Sequence, residues 1–496
     1  MQPIDILLIN LPRKQNPNQL EPIGLLRSDN EPLGLQYLAA NLLKNNFSVQ
    51  IIDASLDDWN LEKLLDEADR FEPLIIGISV LYQFNLSLAI EFIDSIEKNV
   101  HITAGGHAAT FCYEYLFDKC PNLNSVVRGE GEEIIVDLVR KIKASKEWQV
   151  TEGIAFRDNN NEIKLTKPRQ LIKNLDDYPP PTRPFLNQMI QKGGREARLL
   201  ASRGCYGNCT YCSISSFYRL GKVSWRGRSP ESIVDELKTI NKETGIDFFN
   251  FSDDDFIGPG TIGKRHAEGI ARLIIKSGLK IRFGFNTRAA DVDEPLFLLL
   301  KEAGLYIAFI GIEAATDTQL EFLNKHCTVE QNEQALNILD SIDIEYKIGF
   351  IAFTPYITPE EVVANLKFIL KLPPSKQRMW YLTELLVYRG TALEKKLLAD
   401  NLLTDHGDWY TYKYANQEVQ LIVDTIKEAY MLIKPADIKI SEVGNKINGH
   451  EFRKDLQKII KLLTEAVVRG IEAGSISKRK ILNSFNDELR ALMQKL

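Results

Sequence analysis

Short apolar runs that alternate with stretches of helical periodicity constrain this chain most, and the alternation occurs twice. The first series of runs is "IDILLIN" (4–10), "VQIID" (49–53), "LIIGISV" (74–80), "HITAGG" (101–106) and "SVVRGEGEE" (125–133). Helical patterns lie at 33–46, near 85–98 and up to about 144. Ile- and Leu-rich runs of this length read as buried strands. Their alternation with helices predicts a parallel, doubly wound α/β domain at 1–145, with its ligand edge in the loops after the strands. Residues 146–190 read as a linker, with a small hairpin in "FRDNNNEIKL" and a proline-rich connector in "DDYPPPTRPFL".

A second series follows at 191–390: "ARLLAS" (197–202), "DFFNFSDDD" (247–255), "KIRFGFNTR" (280–288), "YIAFIGIE" (306–313), "EYKIGFIAF" (345–353) and "MWYLTELLV" (379–387). In "SPESIVDELKTINKET" (229–244), Ser229 is placed to cap a helix that has Pro230 in its first position. About six strand–helix repeats predict a partial parallel barrel, with its polar residues gathered at the strand ends. Residues 391–496 read as a charged, helical region, as in "FRKDLQKIIKLLTEAVVRGIEAG" (452–474). The fold class is α/β throughout: a Rossmann-like domain, a partial (β/α)6 barrel and a helical C-terminal region.

Between the first barrel strand and the next helix stands "RGCYGNCTYC" (203–212), with Cys205, Cys209 and Cys212 in eight residues. The chain has only six cysteines in 496 residues, which is no disulfide framework. Crowded thiols then point to metal or redox chemistry in a reducing cytoplasm. A Cys3His zinc site needs a histidine, and the nearest, His266, is more than 50 residues away. A three-cysteine zinc site stays open as the weaker reading. Three thiolates on a [4Fe–4S] cluster would leave one iron free for a substrate or cofactor. The net charge of −6 gives no nucleic-acid footprint, and no apolar run reaches the length of a membrane span. The start of the chain has no signal-peptide pattern.

"CYGNCTYC" resembles the C-x3-C-x-aromatic-C signature of the radical S-adenosylmethionine (SAM) superfamily. That resemblance covers about 191–395. It implies that Cys205, Cys209 and Cys212 hold the cluster, that Tyr211 is the aromatic of the motif, and that the free iron chelates SAM. Cleavage of SAM would then give a 5′-deoxyadenosyl radical. Downstream, "NFSDDDF" resembles the element that faces the methionyl amine, with Asp253 and Asp254 as contacts. "FGFNTRAADVD" resembles the third-strand motif, with Asn286 and Arg288 near SAM, and "FIGIE" resembles the G-x-E stretch, with Gly311 and Glu313. "VYRGT" resembles a late P-G-T motif, except that Arg389 replaces the proline. Cys112, Cys120 and Cys327 read as plain thiols.

The N-terminal domain resembles cobalamin-binding domains. Ser79 and Leu81 match their S-x-L loop, Gly105 and Gly106 their glycine pair, and "RGEGEE", with Gly129, a recurrent loop of the same domain. The usual D-x-H-x-x-G motif is absent; the chain reads "NLPRKQ" (10–15) after the first strand. His107 reads as an ordinary strand-end histidine. The resemblance implies a cobalamin-dependent radical SAM enzyme. The commonest activity of this architecture is methylation of an unactivated carbon or a phosphinate in a small molecule or peptide, by way of methylcobalamin. An external donor such as flavodoxin or ferredoxin would supply electrons. Radical ring formation, ring contraction or oxidation is the alternative on the same scaffold, and a non-catalytic iron–sulfur or cobalamin sensor is the rival from another class.

Overall fold

The computed structural model describes residues 2–12, 31–97, 99–221, 224–373, 376, 382, 384–429 and 449–473. The first sheet is built from β1 (Gln2–Asn10), β2 (Val49–Asp53), β3 (Phe71–Ser79), β4 (His101–Gly105), β5 (Ser125–Val127), β6 (Ile154–Arg157) and β7 (Ile163–Leu165). Its order is β2-β1-β3-β4-β5-β6-β7. The first five strands are parallel and the last two pairings antiparallel. The order 2-1-3-4-5 is a doubly wound arrangement whose switch point lies between β1 and β3. Strand β1 shows why the apolar run is unbroken. Ile6 and Leu8 pack with the helices Leu33–Lys44 and Glu132–Lys143, while Leu7 and Ile9 pack on the opposite face. Side chains alternate between faces along a strand, and here both faces are covered.

The second sheet holds β8 (Glu196–Leu199), β11 (Phe248–Phe251), β12 (Arg282–Arg288), β13 (Leu305–Glu313) and β14 (Glu345–Phe350), in sequential order and all parallel. Between β8 and β11, β9 (Ser202–Gly204) and β10 (Trp225–Gly227) form an antiparallel pair that frames the cysteine loop. The expected strand at 379–387 falls partly outside the described residues; within them, Glu384 makes an isolated parallel bridge to Phe353. The helix Pro230–Thr244 starts where expected, with Ser229 Oγ accepting from the Ser232 N–H at 3.2 Å.

Two expectations change. The 146–190 segment is not a free linker: β6 and β7 extend the first sheet, and Arg183 is pinned between Glu31 (2.6 Å) and Glu236 (2.7 Å). The region after 391 is not helical throughout, because β15 (Leu403–Asp405) and β16 (Tyr410–Tyr412) form a hairpin. The helix Gly449–Glu472 follows, and residues 474–496 lie outside the described part.

The two sheets meet through buried contacts near their ligand edges. His107 of the first domain stacks on Phe217 of the second, with ring centroids 3.9 Å apart. Burial pushes the His107 imidazole from its ordinary 6.5 down to about 4. The unfolded chain takes up this proton below about pH 6.5, the folded chain only near pH 4. Protonation therefore favours unfolding, and stability falls as pH drops through that window. His107→Phe keeps a ring on Phe217 and should flatten this slope by up to about 1.4 kcal/mol per pH unit. Urea unfolding of both proteins between pH 4 and pH 7 checks this; equal slopes would refute it.

Candidate cofactor sites at the adjoining sheet edges

The cysteine loop leaves β9 and ends at the helix Ser213–Arg219, whose N-cap is Cys212. Arg288 Nη1 lies 3.6 Å from Cys209 Sγ, and the Gly207 N–H donates to Cys205 Sγ at 3.3 Å. A Cβ on Gly207 would lie 2.3 Å from Arg288, so the loop needs glycine there for Arg288 to reach it. Burial pushes the Cys205 and Cys212 thiols up to about 12. Among the described residues no three His, Cys, Asp or Glu side chains, these thiols included, are gathered closely enough to hold a metal ion as they stand, and no histidine belongs to the loop. Three thiols and no imidazole suit an iron–sulfur cluster better than zinc.

The turn after the helix Asp317–Phe322 supports this loop. Thr210 N–H donates to Leu323 O (3.0 Å), Thr210 Oγ1 to Phe322 O (3.1 Å) and Asn324 Nδ2 to Asn208 O (2.6 Å). Lys325, buried, pairs with Glu313 at 2.9 Å, and the Arg288 guanidinium donates to Lys325 O. Lys325 is thus the partner that Glu313 requires, and the sequence reading missed it. Glu313 sits at φ +68°, at the end of β13. A Cβ on Gly311 would lie 2.6 Å from both Glu313 Oε1 and Lys325 Nζ, so glycine leaves room for the pair. Burial raises the Tyr211 hydroxyl pKa well above the usual range, and the nearby Glu313 carboxylate pushes it the same way.

The acidic turn divides its labour. Asp253, expected beside the methionyl amine, is buried and bonded within the protein. Its carboxylate accepts from the backbone N–H groups of Ala201 and Ser202 and from Ser202 Oγ (2.5 Å), which holds the bend between β8 and β9. Asp254 accepts from the Gly204 N–H (3.1 Å) yet stays within reach of solvent, and enclosure by protein raises its carboxyl to about 6. Asn286 is solvent-exposed and donates to the Asp253 carbonyl at 3.2 Å. Arg288 serves the cysteine loop directly.

The second site is an open cavity at the switch-point edge of the first sheet. Ser79, Leu81, Gly105, Gly106 and Gly129 all line it. Sequence reasoning missed Gly34, Gly77 and the far wall, made of Arg203, Phe217 and Tyr218 from the second domain. Glycine inside an apolar strand was the available signal at Gly77. Gly106 adopts φ +105°, and a Cβ there would lie 2.8 Å from the Val80 carbonyl. Its role is to let two loops approach. Gly34 has no heavy atom within 4 Å of a Cβ position.

Three buried charges, Glu130, Glu132 and Arg203, line the cavity, and Arg226 stands behind them. Glu132 binds Arg203 at 2.6 Å, and Glu130 lies 3.4 Å from Arg203 while also binding Arg226. This explains two of the three acidic residues of "RGEGEE"; the third, Glu133, accepts from Asn41 Nδ2. Removing one partner of a buried pair strands the other charge.

Both halves of the chain match known families. A B12 binding domain is recognised at residues 23–139 and the radical SAM superfamily at 199–369. An uncharacterized methyltransferase of Pyrococcus horikoshii is 31% identical over 411 residues, 82% of this chain and 87% of that protein. An anaerobic magnesium-protoporphyrin IX monomethyl ester cyclase of Cereibacter sphaeroides is 30% identical over 339 residues, 64% of this chain and 53% of its own. The cobalamin-dependent SAM radical enzyme OxsB, solved with aqua-cobalamin, superposes with a TM-score of 0.80 at 21% identity, over 99% of this chain and 80% of its own. The chain belongs to the cobalamin-dependent radical SAM enzymes. Its cofactors are a [4Fe–4S] cluster, SAM and cobalamin. The cavity and the cysteine loop of this radical SAM chain share one wall, because Phe217 and Tyr218 lie on the helix that Cys212 caps.

Glu132→Ala should lower the unfolding free energy by about 3 kcal/mol, the cost of stranding Arg203. A shift in the urea midpoint measures it; an unchanged midpoint would show that the buried charges do not hold the domains together.

Proposed function

We propose that this enzyme methylates an unactivated carbon, or a phosphinate, of a small molecule or peptide. The observation that carries the reading is the shared wall: a cavity lined by the glycine pair and the S-x-L loop opens against the helix that begins at Cys212. When bound, the cluster with SAM supplies a carbon-centred radical and the corrin a transferable methyl group. The residues of the chain hold and orient these groups. Cys205, Cys209 and Cys212 are the cluster ligands. Arg288, against Cys209, balances thiolate charge, and Glu313, fixed by Lys325, supports the same region. Asp254 and Asn286, each exposed beyond its bond to the backbone, are the polar groups placed to meet SAM. Ser79, Leu81, Gly105 and Gly129 form the corrin wall. The substrate then lies between the two edges. The reading requires an external one-electron donor, a flavodoxin or ferredoxin, and a reducing cytoplasm. Among the described residues no helix is long and apolar enough to cross a membrane.

Radical ring formation is the second reading, favoured by the 30% identity to the cyclase. Product analysis separates the two. Methylation should yield S-adenosylhomocysteine and 5′-deoxyadenosine in about equal amounts per methyl transferred, a stoichiometry set by the cofactors. 5′-Deoxyadenosine alone, with no added methyl mass, would overturn methylation.

Two substitutions test the sites. Replacing Cys205, Cys209 and Cys212 by Ala together should abolish iron binding and SAM cleavage, whereas Cys112→Ala, buried in the first domain, should leave iron content intact. Gly34→Phe should fill the cavity without a clash and weaken aquacobalamin binding more than tenfold, the scale of about 1.4 kcal/mol. Unchanged binding by absorbance titration would remove the corrin from this cavity.

A further inference from the structure

Arg389 stands where the resembling family carries proline, and the structure gives it a task that proline could not perform. Its backbone N–H donates to Gln83 Oε1 at 2.5 Å, and proline has no such donor. Gln83 is buried in the short turn Gln83–Asn85, on the loop that carries Leu81 along the cavity. The Arg389 guanidinium binds both oxygens of Asp405 (2.8 and 2.9 Å) and the Gly407 carbonyl (3.1 Å). It also lies over the rings of Tyr410 (4.9 Å) and Tyr115 (5.5 Å). Tyr115 belongs to the first domain, just beyond the Gly105–Gly106 pair.

The hairpin β15–β16 is thereby docked on the first domain. Asp408, buried, accepts from the Ser87 N–H at 2.8 Å. Gly407 takes φ +84°, and a Cβ there would lie 2.3 Å from the Tyr115 hydroxyl; Gly390 takes φ +81°, and a Cβ would lie 2.2 Å from the Phe111 ring. Only glycine fits either approach. Four residues beyond Arg389, the Leu393 N–H donates to the carbonyl of Thr210, between Cys209 and Cys212, at 2.9 Å. The segment 389–393 therefore touches the corrin-side loop at one end and the cluster loop at the other.

We propose that Arg389 is a positioning residue that fixes the corrin-side loop, residues 80–85, in register with the cluster loop through the segment 389–393. It touches neither cofactor itself and acts through Gln83 and the docked hairpin. The inference rests on the corrin reading of the cavity.

The test uses the full chain with its cluster reconstituted and aquacobalamin as the probe. Dissociation is followed by absorbance for the unaltered chain and for Arg389→Ala, Arg389→Pro, Arg389→Lys and Gln83→Leu. Arg389→Ala loses the guanidinium bonds and should speed release about tenfold, as expected for charged hydrogen bonds. Arg389→Pro loses the N–H as well and should release faster still. Arg389→Lys keeps the charge and the N–H and should recover part of the effect. Gln83→Leu should speed release, and combining it with Arg389→Pro should add little, since both remove the same bond. A paramagnetic resonance measurement of the coupling between reduced cluster and cob(II)alamin reads the register directly and should change in Arg389→Ala. No uptake by the unaltered chain would overturn the corrin reading, and this inference with it. Uptake by all variants with unaltered release and coupling would overturn the positioning role alone. Parallel loss of iron and cobalamin in every variant would reduce Arg389 to a general folding role and overturn it as well.

Discussion

Arg203 binds carboxylates of the other domain two residues before Cys205, and the rest of the structure is arranged around that contact. Two acids, Glu130 and Glu132, and two bases, Arg203 and Arg226, are buried together. Burying such a set gains little stability, since desolvation offsets most of the attraction. It does penalise every other alignment, because sliding one domain against the other leaves a buried charge unpaired. The Arg183 bridge to Glu31 and Glu236 applies the same constraint further from the site. The placement of the cavity-lined edge of the first sheet against the cysteine loop is thus set by charge matching, and packing such as His107 on Phe217 fills the space it leaves.

Which parts were legible follows from the range of the forces involved. The strand at 49–53 and the helix after Ser229 were readable because an apolar run, a cap and an N-terminal proline act within a few residues. The β9–β10 pair was not, since "SRG" and "WRG" have no apolar alternation and are held by pairing across the cysteine loop. Nor could the hairpin at 154–165 be assigned to the first sheet: its sequence shows a turn, but its partner β5 lies about thirty residues back. The "TDHGDWYTY" hairpin was hidden in a charged stretch for the same reason.

The site divides along the same line. Ser79, Leu81, Gly105, Gly106 and Gly129 converge on one cavity because each follows a parallel strand of one sheet, and strand ends on the same edge must meet. The opposite wall comes from the other domain, and no local pattern marks Arg203, Phe217 or Tyr218 as its neighbours. Asp253 and Asp254 are adjacent and chemically identical, yet one is consumed by the backbone of 201–202 and the other is left open. The chain bends at Asp254 just beyond β11, which leaves Asp254 exposed while Asp253 stays buried. The sequence shows three acids in a row; which of them is free depends on where the chain bends.

The short helix Ser213–Arg219 carries the tightest link between the two sites. Cys212 is its N-cap, while Phe217 and Tyr218 line the cavity. Five residues of α-helix rise roughly 7.5 Å along the axis. The separation between the last cluster cysteine and the cavity wall is therefore set by local helical geometry, which does not depend on how the domains dock. Docking through Arg203, Arg226 and Arg389 needs only to bring the first sheet against a wall whose distance from the cluster loop is already fixed. A helix of seven residues is too short to be stable alone. This one is held by the stacking of His107 on Phe217 and by the Arg226 guanidinium over the Tyr218 ring, so the element that spaces the two sites is itself supported from both domains.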